Sequence, residues 1–410
     1  MSTKFTLLQI IDFLDTGDTM HRARWPAAQI ALQDPDVRII SLPPASKERF
    51  EWAAKADILF LIQALDTRLL DVIRQRKAAG LTTIVEYNDN FYLPPHASSA
   101  ASSWSSPEVH RTYEDFMLTA DQVITTSEDL ANLYKEKIGV EATILKNQFP
   151  YDPGEFKTVF KAAKSKLVIG WAGSLGHISD FLAFLPLLES FVSKHDNLEF
   201  WVMGNNAIPS YVKLPPNKFK FVPWGNMEQY FSFWKEVDIG ISPMLDTPYN
   251  RCRSDVKAIE MSALGTLPVL QDFRMYQEFS QGSGIGLVEN FSAIIESLEE
   301  LLNNQDLIEA RAKNAFDYVK QHRLGVANTS RLDYLKSVLG KTTGFNWKLP
   351  SGYHEVEGTR QETNPDLDAL KQTEKLLHDK QLPKHLKSSI KRLNKILTIQ
   401  ISQLLKLSAC

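Results

Sequence analysis

One pattern constrains the fold more than any other: a strand-helix rhythm that runs through the chain twice, broken once by a linker. Apolar runs of strand length lie at residues 5–11, 37–42, 57–62, 82–87, 121–125 and 142–145, with helical patterns at 24–32, 68–79 and 128–137 between them. NQFPYDPGE (147–155) reads as a linker by its prolines and glycine. The rhythm then restarts, with strands at 166–171, 198–203, 219–222, 238–242, 267–270 and 286–288 and helices at 180–193, 227–235, 291–303, 307–322 and 326–339. Strands alternating with helices predict parallel sheets covered on both faces. The fold class is therefore α/β, with two Rossmann-like doubly wound domains in tandem. The division is 1–149, 156–325, a closing helix at 326–340, and 341–410 as a polar linker with a helical tail. Such sheets bind ligands beyond the C-terminal ends of their strands, which singles out the loops at 17–24 and 86–91 and Ser127.

Length agrees, since 410 residues exceed one compact core. A net charge of −3 argues against a nucleic-acid binder held by overall electrostatics. The two cysteines, Cys252 and Cys410, give no disulfide framework and no Cys-based zinc site. They fit a reducing compartment, and the expected location is cytoplasmic. The N-terminal run is broken by Asp12 and Asp15, and reads as a first strand and not a signal peptide. No uninterrupted apolar run approaches the ~20 residues that span a bilayer.

Two segments stand apart. PPHASSAASSWSSP (94–107) is small and polar, and reads as a long mobile loop or as a lid over an acceptor. Residues 341–410 hold 12 Lys and Arg against 7 Asp and Glu. Within them, 383–406 places Leu386, Ile390, Leu393, Leu397 and Leu404 at near-heptad spacing among basic residues. Such a helix can lie on an anionic membrane surface, packing peripherally at the inner face, or pair with a partner helix.

The densest chemistry lies in DTPYNRCRSDVKAIEMSALGTLPVLQ (246–271). Ser254 is a candidate N-cap, Gly265 a stop, and 267–270 the next strand. Arg253 and Lys257, four residues apart, would share a helix face. Two cations beside free helix N–H groups suit an anion, phosphate above all. Glu260, a turn deeper, can accept hydrogen bonds from hydroxyls. Neither domain carries G-x-G-x-x-G after its first strand, and no Walker loop occurs, which argues against nicotinamide and NTPase readings.

The second half resembles the nucleotide-sugar-binding domain of GT-B glycosyltransferases of the retaining family-four, or group 1, type. IGWAGSLGH (169–177), DIGISPM (238–244) and NRCRSDVKAIEMSALGTLPVL (250–270) carry the resemblance. In the first half HRARWPAAQIAL (21–32), VEYNDNF (85–91) and ADQVITTSEDLANLY (120–134) fit as well. The resemblance implies glycosyl transfer from a nucleoside diphosphate sugar, with retention and without a metal or other cofactor. The acceptor would be a glycan, a lipid-linked group or a protein, as in polysaccharide biosynthesis. Arg253 and Lys257 would neutralise the diphosphate, Glu260 would hold the ribose, and Gly173 and Ser174 would bring backbone to the phosphates. His177 and Arg22 would be further donor contacts, and Asp89 would orient the acceptor.

The chain departs from that pattern at Cys252, where a carboxylate that touches the donor sugar is expected, and at Ser174 and Ser179, where the family's loop carries cations. These departures keep two alternatives open: a degenerate glycosyltransferase-like scaffold that binds a partner, and a nucleotide-sugar epimerase on the same fold.

Overall fold

The computed structural model describes residues 4–11, 17–98, 100–155 and 166–340, together with the backbone of 352–355. The first sheet contains β1 (Phe5–Ile10), β2 (Val37–Leu42), β3 (Ile58–Ile62), β4 (Thr82–Glu86), β5 (Gln122–Thr125) and β6 (Thr143–Ile144). The second contains β7 (Leu167–Gly173), β8 (Leu198–Gly204), β9 (Phe219–Pro223), β10 (Ile239–Ser242), β11 (Leu267–Gln271) and β12 (Leu287–Val288). All twelve strands anticipated from the sequence form. A thirteenth, β13 (Gly352–Glu355), pairs in parallel with β2 within a stretch expected to be linker. The helical tail anticipated at 383–406 lies outside the described residues.

The strand orders are β13-β2-β1-β3-β4-β5-β6 and β12-β11-β10-β7-β8-β9. Every pairing is parallel, with Leu7 opposite both Ile39 and Ile58 in the first sheet. Because β1 and β7 lie inside their sheets, the order reverses at β1/β3 and at β7/β10. A crevice opens beyond the strand ends at such reversals. These two crevices face each other and set the site.

Inner strands such as β1 and β7 are buried on both faces and read as continuous apolar runs, while the edge strands β6, β9 and β12 are partly exposed. The long helix Ile178–Lys194 lays Phe181, Phe184, Leu185, Leu188, Phe191 and Val192 into the second core. The domains also exchange side chains. Trp25 of the first packs into the second domain's core, stacked on Phe231 at 5.8 Å. Tyr249 and Cys252 of the second pack among Tyr87, Phe91 and Tyr134 of the first.

Three local expectations change. The segment 94–107 is not wholly a loop, since Ala101–Trp104 is helical with Ala101 and Trp104 buried. The helix that carries Lys257 spans Val256–Ala263, with Asp255 and not Ser254 at the N-cap. Ser254 Oγ instead accepts from Asn147 Nδ2 at 3.0 Å. Arg253 therefore precedes the helix rather than riding on it. Gly265 ends that unit as anticipated, at φ 74, a left-handed conformation that glycine adopts without strain.

Candidate functional site

The second domain's wall begins where β7 runs out at Gly173. A Cβ on Gly173 would stand 2.6 Å from the Trp171 ring, so only glycine lets the chain turn there. Leu175–His177 then makes one 3-10 turn. Lys257 comes up beneath it, its Nζ donating to Ala172 O at 2.9 Å and to Tyr230 Oη at 3.1 Å. Arg253 closes the side. Its Nε donates to Asn250 Oδ1 at 3.0 Å, its Nη2 to Gly176 O at 3.3 Å, and its Nη1 lies 2.8 Å from His177 Nε2. Its guanidinium also sits over the Tyr249 ring at 4.6 Å.

A guanidinium can only donate, so His177 Nε2 is the acceptor and the ring proton sits on Nδ1. Burial, then Arg253 and Lys257, hold His177 well below the usual histidine range. Burial lowers Lys257 too, and Arg253 adds to that while Glu260 opposes it. Behind them Asp180 fixes Asn250, accepting from its Nδ2 at 2.8 Å and from Leu245 N at 2.9 Å. The two cations are thus held by neutral acceptors in a partly desolvated place. That arrangement leaves their charge available to an anion.

Glu260 lies at the base. Its Oε2 accepts from Tyr230 Oη at 2.7 Å and its Oε1 lies 2.8 Å from Nε2 of His21, which belongs to the first domain. Burial would raise this carboxyl, but the bonds from His21 and Tyr230 and the charge of Lys257 outweigh it and lower the group.

The first domain's wall is acidic. Asp18 accepts from Asn88 Nδ2 at 2.7 Å, and Asn88 in turn accepts from Gln63 Nε2 at 2.7 Å. Gln63 holds φ at 47, the one left-handed non-glycine among the described residues. Strain of this kind clusters at functional sites. Asp89 accepts from Tyr249 Oη across the cleft at 3.1 Å. Burial, then the charge of Asp18, push Asp89 up to about 7, against the pull of Arg253 and Tyr249. Burial raises Asp18 as well. Among the described residues, no group of three or more His, Cys, Asp or Glu side chains is placed to hold a metal ion.

Of the residues singled out in the sequence, Gly173, Ser174, His177, Arg253, Lys257 and Glu260 gather on one wall, with Asp89 opposite. Arg22 does not join them. It is 1% exposed, its Nε paired with Glu86 and its Nη1 donating to Asn147 Oδ1 at 2.7 Å. A π-helical turn at Met20–Arg24 puts the neighbouring His21 into the cleft in its place. Cys252 has a physical explanation. It is buried in the first domain's apolar cluster, and Ser127 Oγ donates to its carbonyl at 2.9 Å. Burial pushes its thiol up to about 12. Position 252 therefore serves the domain interface, where a carboxylate would be stranded.

No family model matches this sequence, and no curated protein matches it either. Solved structures do match. HepE from Anabaena, in complex with UDP and glucose, is 12% identical with a TM-score of 0.58, over 81% of this chain and 100% of that one. Sucrose-phosphate synthase from Thermosynechococcus elongatus gives 12% and 0.58, over 82% and 98%. The chain has the GT-B fold. TarM gives 12% and 0.52, with the match covering 69% of this chain and 54%, about half, of TarM.

Proposed function

We propose that this GT-B chain transfers a glycosyl group from a nucleoside diphosphate sugar to a hydroxyl-bearing acceptor, such as a glycan. One observation carries the reading. Arg253 and Lys257 converge on the glycine turn after β7, at the crevice where such a sheet takes its ligand. The diphosphate gains negative charge as the glycosyl bond breaks. Preorganised cations aimed at that charge stabilise the transition state more than the ground state. Gly173 and Ser174 give the phosphates close backbone approach, and Glu260 receives the ribose hydroxyls once His21 withdraws. UDP bound to HepE on the same fold supports a nucleotide at this wall. The chemistry needs no metal, because the two cations supply the charge.

A second reading concerns stereochemistry. Retention follows from the family resemblance, whereas the Asp18–Asp89 pair favours base-assisted attack. Asp89, raised to about 7 beside an Asp18 that burial also raises, stands on the acceptor side where a carboxylate can take a proton from an incoming hydroxyl. The anomeric configuration of the first-formed product, read by NMR, decides between them.

The test of the main reading is turnover. Purified full-length chain is incubated with a panel of nucleoside diphosphate sugars, with and without saccharide acceptors, and free nucleoside diphosphate is measured. Acceptor-stimulated release that disappears in Lys257→Ala supports transfer. Absence of release with every donor, together with no nucleotide binding, overturns it.

A further inference from the structure

Behind the first domain's wall lies a cavity of about 20 Å³, lined by Leu7, Gln9, Ile30, Phe60, Arg22 and Arg331, among others. That volume admits one water-sized particle. Both arginines are almost wholly buried, Arg22 1% and Arg331 6% exposed. Arg22 Nη2 and Arg331 Nε and Nη2 have no hydrogen-bond partner among the described residues. Three unpartnered charged N–H sites thus belong to two residues that line one small space.

The lining supplies donors and few acceptors. Gln9 Oε1 already accepts from Ser41 Oγ at 3.0 Å. Glu86 pairs with Arg22 through Oε1 and does not line the cavity, although its Oε2 also lacks a partner among the described residues. Glu86 is the one carboxylate paired with either guanidinium and Asp18 acts on Arg22 only through its charge, so Arg331 is left without an ion-pair partner among the described residues. A buried charge of that kind costs several kcal/mol in general unless something neutralises it. Burial, then the charge of Arg22, lower Arg331 to about 9, opposed by Glu86.

We propose that the cavity is a built site for one small monovalent anion, a halide such as chloride, held between Arg22 and Arg331. Its donors and size select a monatomic anion over a phosphate. Arg331 stands on Ser330–Ser337, the helix that returns to the first domain after the second. Arg22 stands beside His21 and is bonded to Asn147, whose Nδ2 reaches Ser254 ahead of the Lys257 helix. A bound anion would therefore brace the returning helix, the π-helical turn and the interdomain connection together. This inference stands independently of the proposed glycosyl transfer.

The experiment uses full-length protein. Thermal unfolding is followed in sodium chloride and, at equal ionic strength, in sodium gluconate, whose anion is too large for the cavity. The expected result is a saturable rise in Tm with chloride, about 2 °C per tenfold above Kd. Arg331→Met abolishes the difference. Crystals grown in bromide supply an arm that needs no variant, with an anomalous peak between the two guanidinium groups. Equal Tm in both salts, or a peak-free site with ordinary water bridging the arginines to Glu86, overturns the proposal.

Discussion

Nε2 of His21 and Oε1 of Glu260 lie 2.8 Å apart although 239 residues separate them in the chain. Glu260 thereby spends one oxygen on the opposite domain and the other on Tyr230. If Glu260 receives a ribose as proposed, His21 competes for Oε1, and the contact would couple nucleotide binding to cleft opening. His21→Ala is expected to tighten nucleoside diphosphate binding about 3- to 10-fold, while Glu260→Ala weakens it by at least tenfold. Calorimetric titration of both variants checks this. Weaker binding in His21→Ala would contradict the gating role.

Lys257→Ala and Arg253→Ala are each expected to lower kcat by about 10²- to 10³-fold, the usual loss for a preorganised charge. Stability should hold, because Lys257 is held against its own desolvation and Arg253 is bonded mostly to neutral partners. Steady-state kinetics beside urea melts separates the two effects. A loss of turnover that merely tracks unfolding would assign both residues a structural role.

Asp89 gives a pH dependence with a definite sign. Its folded value is raised to about 7 from an ordinary 3.8. Between those values the folded state holds a proton that the unfolded state has lost, so stability falls as pH rises toward 7 and then levels. Asp89→Asn removes that slope. If the ionised Asp18–Asp89 pair acts as base, turnover rises through pH about 7 in the wild type and flattens in the variant. Unfolding free energies and kcat between pH 5 and 9 test both statements.

The buried pair Arg323–Asp255 locks the helix that bears Lys257 to the chain returning from the second domain, with Nη1 to Oδ2 at 2.6 Å and Nη2 to Oδ1 at 3.1 Å. Arg323 also donates to Asn147 O at 2.6 Å. Asp255→Ala strands a buried guanidinium and is expected to destabilise by about 3–5 kcal/mol, measured by urea unfolding. A change under 1 kcal/mol would mean that water reaches the arginine.

Much of this was legible in the sequence, and the reason is local. Continuous apolar strands flanked by helices declare a parallel sheet without any tertiary knowledge, and Lys257 and Glu260 lie one helical turn apart by their spacing, whereas Gly173 stood out through the family resemblance. Asp18 and His21 fall in the loop 17–24 that the strand ends singled out, but neither they nor Tyr230 and Gln63 were legible as individual site residues. Their roles depend on which strand ends meet across the cleft, and no periodicity carries that. Arg22 was expected to contact the donor, and the fold instead buries it against Glu86 and Asn147, partners 64 and 125 residues away that no local pattern reveals. Cys252 showed in the sequence only as a missing carboxylate, and the fold shows what the position does instead.

The central claim is that the Arg253–Lys257 wall grips a nucleoside diphosphate. Calorimetric titration of UDP and GDP into wild type, Lys257→Ala and the Arg253→Ala/Lys257→Ala double variant tests it most directly. The account predicts binding of at least one nucleotide by wild type, weakened by at least tenfold in the single variant and lost in the double. Equal affinity in all three folded proteins would contradict it.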